Sequence, residues 1–192
     1  MARTNRSDSQ AQTRERLVAA AHDMFSREGY AATSVARIAD AAGYSKGALY
    51  SNFDSKEAIF LAVLDAQGQQ GLDRLLEEIG RAADAAAIVG LLAAWADERS
   101  RSGGWSLTIL EHARVAEPGS ASLARQKEIV RHHWQQLGRQ VRDRLPALEV
   151  EEEMLGALLH EIAYAPALTF MAQPTAGAMM RVVMGGLLRP VG

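Results

Sequence analysis

Cysteine is absent from all 192 residues, which excludes a disulfide framework, thiolate metal sites and thiol redox sensing. Aromatic residues are scarce, at 6%. Neither sign of charge is in large excess: 21 Lys and Arg stand against 23 Asp and Glu, a formal net charge of −2. Long hydrophobic runs are also missing. The charge-free stretch 162–180 approaches the length of a bilayer span, but Pro166, Gln173, Pro174 and Gly177 interrupt it, so no membrane partner is expected. Met1 to Arg6 is polar with no apolar segment behind it, so no signal peptide is read and a cytoplasmic protein is expected.

Catalytic patterns are missing too. His160-Glu161 lacks a second histidine four positions after His160, so the zinc-protease motif is not there. His132 and His133 are adjacent, and on a helix they point about 100° apart, too far to share one metal. No GxSxG, phosphate-loop or dinucleotide-binding glycine pattern appears. The expectation is a protein that is not an enzyme and carries no metal or cofactor.

What the chain does have is helical spacing almost throughout. Leu17, Val18, Ala21, Met24 and Phe25 recur every three or four residues, the apolar stripe of an amphipathic helix. Glu28-Gly29 is expected to end it. The hydroxyl residues Thr33 and Ser34 suit the cap of a short second helix over 35–42, Gly43 breaks it, and Ser45 caps a third over about 46–51. Asp54-Ser55 starts a long fourth helix carrying Ile59, Phe60, Val63 and Leu64. Further helices are expected over 85–99, 105–116, 120–145, 150–172 and 175–188, separated by Gly and Pro signals. With no useful period-two pattern, the fold class is all-α with about nine helices.

Two short helices joined by a glycine-containing turn describe a helix-turn-helix, whose second member can lie in a DNA major groove. Leu49 would face inward, leaving Ser45, Lys46, Gly47 and Tyr50 outward. A solvated αα-hairpin without DNA contact fits the same spacing. Charge leans mildly towards the first reading: residues 1–56 hold eight Lys and Arg against six Asp and Glu, and the acidic excess lies beyond them.

The segment TSVARIADAAGYSKGALYSNFDSK (33–56), with Gly29-Tyr30 before it and Glu57 after it, strongly resembles the tetracycline-repressor family of one-component regulators. The likeness covers residues 12–70. Beyond it, only the helical layout agrees. The resemblance implies that Ser34 caps the second helix and holds a phosphate, that Arg37 reaches phosphate or base, and that Lys46 and Gly47 read bases. It implies that Ser45 and Tyr50 grip the backbone and that Lys56 contacts phosphate. Ser51 and Asn52 depart from the residues usual in that family.

The expected organisation is an arm at 1–11, a helix-turn-helix domain at 12–56 and a ligand-binding and dimerisation domain at 57–192. The last helix is apolar almost all round, which calls for burial on two sides. A homodimer interface is expected from Leu155, Leu158, Leu159 and Ile162 with Met180, Val183, Met184 and Leu187. Trp95, Trp105 and Trp134, with Thr108, His112 and Tyr164, are the candidate lining of a small-molecule site. The implied protein is a dimeric repressor released from a palindromic operator by a small hydrophobic or aromatic inducer. An activator of the same fold, or a helical interaction module without DNA binding, fits the same residues.

Overall fold

The computed structural model describes residues 2–101 and 103–189, with side chains described over 10–101 and 105–189. Among these there are nine helices and no strand: α1 (Ala2–Ala32), α2 (Val35–Ala41), α3 (Lys46–Tyr50), α4 (Lys56–Arg81), α5 (Ala85–Arg101), α6 (Gly103–Val115), α7 (Ala121–Arg144), α8 (Glu152–Thr169) and α9 (Ala176–Leu187). The all-α expectation holds. Helical backbone already runs from Ala2, through the stretch expected to be an arm; Arg3 and Arg6 have side chains outside the described set. Gly29 breaks α1 at φ 82°, a left-handed value that favours glycine, and one further turn follows.

The chain divides into two compact units, and not at the expected 56/57 boundary. The first holds residues 1–66 and 107–126; the second holds 67–106 and 127–192. In the first unit α1 packs on α2 and α2 on α3. Leu17, Ala21, Phe25, Ile38, Leu49, Ile59 and Phe60 are fully buried there. Phe25, Tyr30 and Phe60 form one aromatic cluster, with ring centroids 5.2 to 5.7 Å apart. Residues 107–126 join this unit through specific bonds: Thr108 Oγ1 donates to the Phe25 carbonyl at 2.8 Å, and the His112 ring stacks on Phe60 at 4.4 Å.

In the second unit α5 packs on both α8 and α9, and α8 packs on α9. The core runs through Leu72, Ile79, Ile88, Leu92, Leu137, Val141, Leu155, Leu159, Met180 and Met184. Close approach needs glycine at two facing positions. A Cβ on Gly138 of α7 would overlap the Glu152 carbonyl oxygen, and one on Gly156 of α8 would overlap the Trp134 carbonyl oxygen. Backbone meets backbone there, so no side chain can rearrange to make room. At the start of α9 the Gly177 N–H donates to Asp97 Oδ1 at 2.7 Å, satisfying one of the helix's unpaired amides with an anion from α5.

This packing corrects half of the expected dimer set. Leu155, Leu159, Met180 and Met184 are fully buried within the single chain, because α5 covers the inner face of α8 and α9. Leu158, Ile162, Val183 and Leu187 are half-buried. The apolar side chains left outward on these helices are Met154, Leu168 and Val182, at 63%, 39% and 76% exposure. No described helix is long and apolar enough to cross a membrane.

Candidate nucleic-acid interface

A helix of five residues such as α3 has no stability of its own in water. Its position is fixed from both ends and from below. The Ser45 side chain caps it by accepting from the Ala48 N–H at 3.1 Å, and Leu49 anchors it with no exposed surface. Before it, Gly43 takes φ 76°, and the Tyr44 N–H closes the turn on the Ala39 carbonyl at 2.9 Å. At its end Ser51 Oγ and Asn52 Nδ2 bond back to the carbonyls of Gly47 and Ala48, each at 2.8 Å. The two positions that depart from the resemblance are therefore tied into the helix itself.

The anchoring leaves Ser45, Lys46, Gly47 and Tyr50 exposed on α3, with the Lys46 ammonium 5.7 Å from the Tyr50 ring centre. Ser34 is exposed at the start of α2 and its side chain accepts from the Arg37 N–H at 3.3 Å. Beside it Thr33 is buried and donates to the Gly29 carbonyl at 2.8 Å. An ammonium, a phenol and two hydroxyls with an open glycine backbone can donate to phosphate oxygens or base edges.

Arg37 and Lys56, both expected to reach DNA, have partners within the protein. The Arg37 guanidinium makes a two-pronged pair with Glu28, at 2.5 and 2.7 Å. That pair holds the Glu28 carboxyl below its usual value and raises Arg37. Lys56 Nζ lies 4.2 Å from the Tyr30 ring centre and 3.4 Å from the Ala31 carbonyl. Burial lowers its pKa, with Glu57 and Glu111 acting in the opposite direction. Both cations brace the turn between α1 and α2. Glu111 braces the same turn by accepting from the Ala31 N–H at 3.3 Å.

Sequence reasoning missed Arg14, whose guanidinium lies 4.1 Å from the Phe53 ring centre and donates to the Asn52 carbonyl at 2.9 Å. Nothing in a local pattern announces a contact spanning 38 residues.

The expected small-molecule residues do not form one set. Thr108 and His112 belong to the first unit's core; His112 Nδ1 meets Gln126 Oε1 at 2.5 Å. Trp105 is half-buried on α6. Trp95, Trp134 and Tyr164 lie in the second unit, where a row of rings runs Trp95, Tyr164, His160, Trp134 at centroid spacings of 6.4, 4.3 and 6.0 Å. His160 and Arg99, both unforeseen, complete that group. Burial pushes the Tyr164 phenol up, against the opposing pull of the Arg99 guanidinium.

Comparison with known proteins bears on the first unit most directly. The family described as bacterial regulatory proteins, tetR family, matches residues 17–63. The HTH-type transcriptional activator FasR of Mycolicibacterium smegmatis is 41% identical over 69 residues, 36% of this chain and 30% of that protein. The chain spans about a third or less of the length of the curated relatives it matches. Two solved structures share the fold over nearly the whole chain. The fatty acid degradation regulator FadR from Bacillus halodurans is 17% identical with a TM-score of 0.68, covering 93% of this chain and 95% of that one. The regulator FadR from Bacillus subtilis, in complex with stearoyl-CoA, is 18% identical with a TM-score of 0.64, covering 93% and 99%. The family and these relatives are transcriptional regulators rather than enzymes.

Proposed function

Because the chain belongs to the tetR family of bacterial regulatory proteins, we propose that it is a cytoplasmic, dimeric repressor that reads a palindromic DNA operator through α3 and leaves it when a small hydrophobic or aromatic ligand binds the second unit. The observation that carries the DNA-binding part is the presentation of Lys46, Gly47 and Tyr50 on a helix whose other face is buried through Leu49. Lys46 is the principal base-reading group, and Ser34, Ser45 and Tyr50 hold phosphates. Arg37 and Lys56 serve first as braces of the turn that aims α2 and α3. Phosphate contact by either requires it to leave its present partner.

A second copy of the chain is the natural cover for the exposed Met154, Leu168 and Val182, with the half-buried Leu158, Ile162, Val183 and Leu187 beside them. Dimerisation would pair two reading helices, which is what a palindrome requires. Helix α4 supplies Lys56 to the first unit and Gly68, Gly71 and Leu72 to the second. A ligand displacing α4 in the second unit would therefore disturb the Lys56 brace. The likeness to FasR favours a second reading, an activator with the same reading head; a reporter assay with the gene deleted separates the signs.

The test is selection of random duplexes on the purified full chain. The expected outcome is a palindrome whose binding falls at least about fivefold on Lys46→Ala and on Tyr50→Ala, in line with about 1–3 kcal/mol per specific contact. A folded dimer that enriches no sequence would favour the interaction-module reading instead.

A further inference from the structure

We propose that the cavity beside Arg99 in the second unit takes a small organic carboxylate with a ring-sized apolar body. This deepens the ligand-responsive reading and rests on it. A cavity of about 20 Å³ is walled by Leu72, Leu137 and Trp95, and its polar lining is Arg99, His133, His160 and Tyr164. Among the described residues no carboxylate lines it. The guanidinium has only donors to offer. Its Nε is buried without a hydrogen-bond partner among the described residues, while one Nη donates at 3.2 Å to the exposed Glu98. A buried donor left unpaired is costly, so this lining favours an occupant that brings acceptor oxygens.

Space for the rest of such a ligand adjoins it. A second cavity of about 150 Å³ shares Gly71, Trp95 and Arg99 with the first and adds the apolar surfaces of Leu75, Leu91 and Ala94. Its charged rim, Arg74, Glu78 and Glu98, is exposed. A space of about that volume is large enough for a ring the size of benzene, with Trp95, Leu75 and Leu91 as its apolar wall and the charged rim facing solvent. The guanidinium thus stands between a polar niche and a ring-sized space with one apolar wall, the arrangement that suits a two-pronged grip on a carboxylate with its body against Trp95. Gly71 belongs to the same arrangement, since a Cβ there would meet Arg99 Nη1 at 3.0 Å and Cζ at 3.2 Å.

The experiment is calorimetric titration of the full chain with benzoate and cyclohexanecarboxylate, each against its primary amide. The carboxylates should bind at least tenfold more tightly than the amides. Arg99→Gln, with its helicity checked by circular dichroism, should erase that preference. Tyr164→Phe should weaken carboxylate binding several-fold while keeping the preference. Equal binding of acids and amides would overturn the charge assignment yet leave a ligand-binding unit standing. Failure of both acids at millimolar concentration would overturn the proposal, as would Arg99→Gln and Tyr164→Phe proteins that both bind acids like the parent. Operator binding, measured separately, is untouched by any of these outcomes.

Discussion

At the scale of single residues, the reading head separates groups that present chemistry from groups that hold position. Lys46 and Tyr50 were legible as candidates because Leu49 had to face inward, and burial of Leu49 leaves them outside. Arg37 and Lys56 were legible as cations but not as braces, since their partners Glu28, Tyr30 and Ala31 lie 9, 26 and 25 residues away. A spacing rule sees only neighbours on the same helix. Glu57 gives the clearest dependence on pH. Its own backbone N–H and the Ser55 hydroxyl hold its carboxyl below the ordinary value of 4.5, with smaller contributions from His112 and Tyr30. A carboxyl depressed in the folded state adds stability that is present above the unfolded value and lost as pH falls through the folded one. Melting temperature should therefore drop as pH is lowered below about 4.5, and Glu57→Gln should make that drop shallower. An unchanged acid profile in the variant would show that Glu57 contributes nothing to it.

Element boundaries were read well wherever a cap or a glycine marks them. Ser34 and Ser45 cap α2 and α3 as expected, the Ser55 side chain accepts from the Ala58 N–H at 3.1 Å at the start of α4, and Gly29 breaks α1. The expected break at Ser102-Gly103-Gly104 begins α6 at Gly103, two residues earlier than the apolar pattern suggested. Which helices touch was not legible, because an apolar stripe says that a face is covered and not by what. The last helix, expected to be buried on two sides, is covered by α5 and α8 of the same chain, and Val182 on it is exposed. The facing pair Gly138 and Gly156 was equally silent in the sequence. Gly156→Ala should destabilise the protein by about 3 kcal/mol, from backbone displacement at the α7 to α8 crossing. Gly90→Ala in α5 is the control: nothing lies within 4 Å of a Cβ there, and the helix should gain about 0.5–1 kcal/mol. Chemical denaturation of both variants decides it, and equal effects would contradict the packing account.

Across the whole molecule, the division into units departs most from the sequence reading. Residues 107–126 belong with the first unit because Thr108 meets Phe25 across 83 residues and Glu111 meets Ala31 across 80. Separations of that order leave no periodic trace in a single chain. The same fact splits the expected ligand set, sending Thr108 and His112 to one unit and Trp95, Trp134 and Tyr164 to the other. The central claim, that the first unit holds DNA through α3, concerns charge meeting phosphate and so has a direct physical signature. Contacts that neutralise phosphates release counterions, and affinity then falls linearly on logarithmic axes as salt rises, with a slope of roughly −0.9 per contact. The deciding measurement is the salt dependence of binding by the full chain and by Lys46→Ala to one selected duplex. The account predicts a steep linear fall for the parent and, for Lys46→Ala, weaker binding, with a slope shallower by about one if Lys46 also neutralises a phosphate. Binding that ignores salt, or a Lys46→Ala protein whose affinity and slope both match the parent's, would contradict it.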